Sequence, residues 1–151
     1  MEQWRYTHPS LNVGSSQATD IIQGADGRIY ASCFVTEDMG VICLNTDGEK
    51  QWIRTMDGPG PEPYYGEYAY EVLYGIDNYV YVVGRTGGRD EIVDTDLDVT
   101  VIKMDLDGEV DWFYRYEGFY GDYDIGFQIV QAVDTNLHIA AHTCGLLPKP
   151  T

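Results

Sequence analysis

Basic residues are scarce in this sequence: nine Lys and Arg stand against 25 Asp and Glu, for a formal net charge of −16. A surface of that sign repels phosphate backbones and anionic lipid headgroups, which excludes a role built on electrostatic nucleic-acid binding. A cationic partner or a hard cation remains compatible with it. Cysteine is scarce as well. Cys33, Cys43 and Cys144 are too few for a disulfide scaffold and show no CxxC spacing, so they identify no redox compartment. No apolar run approaches the roughly 20 residues of a membrane helix. The opening MEQWRYTHPS lacks the basic stretch and apolar core of a signal peptide. There is no HExxH, no phosphate-binding glycine loop and no nucleophile elbow. Among so many carboxylates none is marked out by position as a general acid or base. No catalytic, cofactor-binding or metal-ligating residue is therefore assigned, and the sequence leans away from an enzyme.

What is present is apolar and aromatic. Hydrophobic residues make up 44% and aromatics 13%, which excludes a disordered acidic tail. The aromatics are mostly Tyr, 13 of them, and with 17 Gly this composition favours strands and turns over helices. The fold class expected is all-β.

Two stretches match without a gap at an offset of 60: VICLNTDGEKQWIRTMDG (41–58) and VIKMDLDGEVDWFYRYEG (101–118). The segments before them match at a different offset, 51, and a third copy follows: ATDIIQGADGRIYASCF (18–34), AYEVLYGIDNYVYVVGR (69–85) and GFQIVQAVDTNLHIAAH (126–142). Each is two apolar strands about a turn, Asp26-Gly27, Asp77-Asn78 or Asp134-Thr135, where Asp, Asn and Gly suit tight hairpins. The unit is thus four strands, A to D, and the difference in offset leaves an insertion between B and C of the second copy. EQWRYT near the start superposes on the D strand, so Trp4, Trp52 and Trp112 are one position met three times. Strand C is apolar on successive residues (Val41, Ile42, Cys43, Leu44), which requires a sheet covered on both faces.

Four short strands repeated every 50 to 60 residues is the sequence form of a propeller blade. DVTVIKMDLDGEVDW and GEYAYEVLYGIDNYVYVVGRT resemble the β-propeller repeat family of bacterial and archaeal secreted and cell-surface proteins, with its K-x-D-x-D-G-x-x-x-W motif. The first copy departs from that motif, with Cys43 for Lys103 and Asn45 for Asp105. The resemblance implies an all-β, incomplete β-propeller of four-stranded antiparallel blades: a partial blade at 1–10, blades at 15–58 and 66–118, and a partial blade at 123–143. It also implies an extracellular or surface location. On this reading the chain is a fragment of a longer protein, a non-catalytic interaction or structural scaffold. Its partners are an unidentified protein or glycan, the remaining blades, or other copies through its open edges. The alternative is a carbohydrate-binding, polysaccharide-active or quinone-dependent propeller enzyme whose active site lies in other blades.

Four stretches invite a site. Asp105, Asp107, Glu109 and Asp111 around Gly108 suggest a calcium loop, but counted from Asp105 the sixth residue is Val110 and the twelfth Tyr116, where an EF-hand needs Gly and Glu. The turn reading is expected to hold, with Asp107-Gly108 and Trp112 carrying the geometry and the other acids decorating the surface. Asp90, Glu91, Asp94, Asp96 and Asp98 in the insertion offer hard oxygens, so calcium is the one cofactor kept in view. His138 and His142 have zinc spacing only on a helix; on strand B they span about 13 Å, too far for one ion. Finally, Tyr is dense between strands D and A, Tyr64 and Tyr120 among them, as on carbohydrate-binding surfaces.

Overall fold

The computed structural model describes residues 4–7, 16–35, 38–56, 66–87, 97–116, 118 and 123–143. Among these the regular structure is entirely β: β1 (Ser16–Gln23), β2 (Ile29–Val35), β3 (Asp38–Leu44), β4 (Lys50–Met56), β5 (Tyr68–Tyr74), β6 (Val80–Gly87), β7 (Leu97–Met104), β8 (Val110–Tyr116), β9 (Asp124–Gln131) and β10 (Leu137–Thr143). They form two four-stranded antiparallel sheets, β1-β2-β3-β4 and β5-β6-β7-β8, and a two-stranded sheet, β9-β10. Consecutive strands are always neighbours, as short turns dictate. No helix is long and apolar enough to cross a membrane among the described residues.

The turns follow from their side chains. Gly24 N–H donates to the Arg28 carbonyl and Gly27 N–H to the Gly24 carbonyl, and the same pair of bonds closes the turns at 45–49, 75–79, 105–109 and 132–136. The left-handed residue is the fourth of each: Gly27, Gly48 and Gly108 at φ of 84°, 80° and 85°, Asn78 at 60° and Thr135 at 69°. This is a three-residue loop ending in a left-handed position, where Gly costs least. Asp105 Oδ1 accepts from the N–H of Asp107 (3.0 Å) and Glu109 (2.8 Å). Asn45 Oδ1 does the same for Asp47 (3.0 Å) and Glu49 (2.9 Å). One carbonyl oxygen suffices for that task, so Asn replaces Asp without loss.

The sheets lie face against face, β5 on β1, β2 and β3, and β9 on β5, β6 and β7. Strand alternation divides β7 accordingly. Ile102 and Met104 pack towards the first sheet with Tyr30, Met39 and Val41, while Val99 and Val101 pack towards Ile129 of β9. Both faces of β3 and β7 are covered, which explains their unbroken apolar runs. On the far face of the first sheet Tyr6 packs on Cys33, Val35, Ile42 and Leu44.

Candidate interaction surface

Successive sheets are joined by contacts that recur at matching positions. The Trp52 ring lies over Gly108, close enough that a Cβ there would come 3.0 Å from it. Trp52 Nε1–H donates to the Leu106 carbonyl at 3.0 Å, Arg28 Nη1–H to the same oxygen at 2.6 Å, and Arg54 Nε–H to the Gly108 carbonyl at 2.6 Å. Arg54 also pairs with Glu109. The first sheet therefore grips the β7–β8 turn of the second by a ring and two guanidiniums. Trp4 occupies the same place over Gly48 of the first sheet.

A second contact runs the other way. A side chain on Gly24 would meet the Tyr74 ring, and one on Gly75 would meet Gln131, so the ends of β5 and β9 each rest on the first turn of the preceding sheet. A third joins the first strands of the three sheets. β1, β5 and β9 each carry a bulge, at Thr19, Tyr70 and Phe127. In β1 and β5 the acid after the bulge accepts a backbone N–H of the next sheet's first strand, Asp20 from Val72 at 3.1 Å and Glu71 from Ile129. Thr19 Oγ1–H also donates to the Ala69 carbonyl at 2.7 Å.

Turn and core are coupled through buried phenols. Tyr30 donates to Asp26 at 2.7 Å and Tyr81 to Asp77 at 2.6 Å. Burial, then the acid partner, pushes both phenols above the ordinary tyrosine value. Burial alone would raise the Asp77 carboxyl, but the Tyr81 hydroxyl, its own amide, Gln131 and Lys103 together hold it below the ordinary carboxylate value. Lys103 lies 3.7 Å from Asp77, 3.4 Å from Asp111 and 3.6 Å from the Tyr79 ring centre. Its counterpart Cys43 is fully buried between the sheets.

The last contact of the series has one side only among the described residues. Trp112 stands where Trp4 and Trp52 stand, yet among the described residues no turn glycine lies beneath it. Tyr114 and Tyr116, which take the places of Arg54 and Met56, are 57% and 42% exposed. Val130 on β9, 58% exposed and on the face opposite to Ile129, extends this apolar end. At the opposite end Ile21 is 63% exposed.

Asp107-Gly108 forms the turn that the sequence predicts, but Asp105 is more than surface decoration, because it ties two backbone amides. Asp90, Glu91, Asp94 and Asp96 lie outside the described residues. Asp98 does not belong to a loop: it is buried in β7 with Arg115 Nε at 3.1 Å. Among the described residues no group of three or more His, Cys, Asp and Glu is arranged to hold a metal. His138 and His142 sit on extended β10, paired with Val130 and Ile125. Cys33 and Cys43 are free and buried; burial pushes the Cys33 thiol to about 12 and raises Cys43, so neither is a ready nucleophile. Cys144, Tyr64 and Tyr120 lie outside the described residues.

Tyr68 and Tyr70 belong to a row that crosses the sheets. Phe34 to Tyr68, Tyr68 to Tyr70 and Tyr70 to Phe127 are separated by 4.8, 6.2 and 5.4 Å between ring centres. Arg85 covers Tyr68 at 4.8 Å and donates to the Gly66 carbonyl at 2.9 Å. Sequence reasoning missed this row, the bulges and the gripping residues Arg28, Arg54, Asp20 and Glu71. A signal existed only for the last pair: a polar acceptor, Asp20, Glu71 or Gln128, stands at the same place in all three A segments. No family model and no curated protein sequence matches the chain.

Proposed function

We propose that the two sheets and the β9–β10 pair are successive blades of a β-propeller, and that the chain is a non-catalytic interaction or structural module of a larger secreted or cell-surface protein. The observation that supports this most is the series of matched contacts between sheets, above all the ring of one unit over the turn glycine of the next, ending in a Trp112 whose partner turn lies elsewhere. A surface built to receive another unit is a binding surface by construction. Its partners are proteins or glycans and not nucleic acid, given a net charge of −16. The reading is tested with an antibody against this chain on fractionated source cells. A surface-fraction polypeptide much larger than 17.0 kDa is expected. A band confined to the soluble interior would overturn it.

The aromatic row supports a second reading, a carbohydrate-binding propeller or a polysaccharide-active or quinone-dependent enzyme whose chemistry lies in other blades. Stacked rings at Tyr68 and Tyr70 beside the exposed Phe127 offer the flat apolar faces that sugar rings use. A glycan array with Tyr70→Ala, Tyr64→Ala and Tyr120→Ala decides it. Binding that survives all three substitutions removes these tyrosines from consideration.

A further inference from the structure

We propose that Arg85 receives a carboxylate and that, with Tyr70 and Phe127, it forms a site for a glycan bearing a single acidic sugar, a hexuronate in an otherwise neutral chain. It rests on the carbohydrate-binding reading and names the class of sugar.

Most cations of this acidic chain are engaged by acids. Arg28 pairs with Asp26 and Asp107, Arg54 with Glu109, Lys103 with Asp77 and Asp111, and Arg115 with Asp98. Arg85 has no carboxylate partner among the described residues; its contacts are a carbonyl and a ring. Two buried acids at its end of the strands are held by other groups, Asp98 by Arg115 and Asp124 by the Gly118 N–H at 2.6 Å. Nor does the hairpin call for a charge there. Arg85 pairs with Tyr68 across β5 and β6, and at the same place of the unit Phe34 pairs with Gln17 and His142 with Ile125.

The guanidinium is nonetheless held in place. Its Nε–H donates to the Gly66 carbonyl at 2.9 Å, and its central carbon lies 4.8 Å from the Tyr68 ring centre. Those contacts leave the Nη groups, the fork that meets a carboxylate in two parallel hydrogen bonds. Beside Tyr68 the rings continue. Tyr70 lies 6.2 Å from it, and Phe127, 44% exposed, lies 5.4 Å from Tyr70 with 58° between the planes. Tilted rings offer apolar faces to the C–H face of a sugar, and the nearby fork selects a sugar that carries an anion. One fork takes one carboxylate. A polyuronate would bring many charges against a net −16 and be repelled as nucleic acid is. With a single charge the contact pair prevails, because at physiological salt acids beyond about 8 Å are screened.

Neutral trisaccharides that each carry one glucuronate, galacturonate or mannuronate, arrayed beside their methyl esters, test this site. At least one acid should bind about tenfold or more tighter than its ester. Arg85→Gln should remove that preference, and Tyr70→Ala should weaken both forms. Arg85→Phe, which gives the second sheet the ring that the first carries at Phe34, should lose the preference while keeping the parent's melting temperature. A preference that survives both Arg85 substitutions would overturn the proposal. So would a triglutamate peptide or a triuronate bound as tightly as the best acid. Acid and ester bound alike, and both weakened by Tyr70→Ala, would overturn it and leave the carbohydrate-binding reading standing. An array without binding would sink both.

Discussion

The interface between the first and second sheets and the open end of the second start from the same strand lanes and differ in what meets them. In the first, Trp52, Arg28 and Arg54 converge on a turn whose carbonyls point back at them. In the second, Trp112 and Tyr114 present the same lanes with no such turn among the described residues, and Lys103 has replaced Cys43. The same positions of the unit carry donors aimed at carbonyls and a buried thiol in the first sheet, and aromatic rings with an ammonium held between Asp77 and Asp111 in the second. The repeat preserves strand pairing and turn, while the side chains that make the contact differ from sheet to sheet.

The sharpest way to break that comparison is at the turn glycine. Gly108→Val forces a branched residue to a φ of 85° and into the Trp52 ring, and should cost about 3 to 4 kcal/mol in urea unfolding. Gly27→Ala meets nothing within 4 Å and should cost only about 1 kcal/mol for its φ of 84°. Equal losses would show that the ring contact contributes nothing. Next, Trp52→Ala should lose about 3 kcal/mol, whereas Trp112→Ala, measured on the monomer, should lose under about 1 kcal/mol.

Acid and alkali probe the turns that the phenols hold. Asp77, with its carboxyl held low, stabilises the fold fully above the unfolded value of about 3.9. That contribution is lost as pH falls through the lower folded value, so Asp77→Asn should flatten the acid limb of a melting-temperature profile. Tyr30, raised in the folded state, has the opposite sense: the unfolded chain loses its proton first, so stability falls as pH rises past about 10. Tyr30→Phe should flatten the alkaline limb. A smaller effect is expected at Asp105, where Asn should be neutral and Ala should cost about 1 kcal/mol, because only the capping oxygen matters. Smallest of all, calcium against chelator should leave the melting temperature unchanged; a clear rise would assign an ion to the insertion.

The sequence made the strands and turns legible because they depend on local features: alternating or continuous apolar runs, and Gly or Asn where φ is positive. Trp52 was legible as an anchor because a large ring recurring four residues after a turn glycine has few other uses. Arg28 and Asp20 were not legible. A charged residue at a strand end reads as solvated surface until the neighbouring sheet is in place, and nothing along the chain says that a carbonyl 78 residues away will meet the Arg28 guanidinium. Asp98 misled for the converse reason: grouped in sequence with the acids of a loop, it is separated from them by the start of a buried strand, where Arg115 offsets its charge.

The opposed directions of the contacts between sheets have a consequence for how such a chain can lengthen. The first two sheets each carry a tryptophan on the last strand and a turn glycine that a ring covers, and β5 and β9 each end in a side chain that reaches back. A tandem duplication of one full period therefore brings a ring and a receiving glycine to the new junction, whereas the guanidinium donors of Arg28 and Arg54 would have to be regained where Tyr79 and Tyr114 stand. The connection between β6 and β7 is where the second unit has acquired its extra residues, between two strands that keep their pairing.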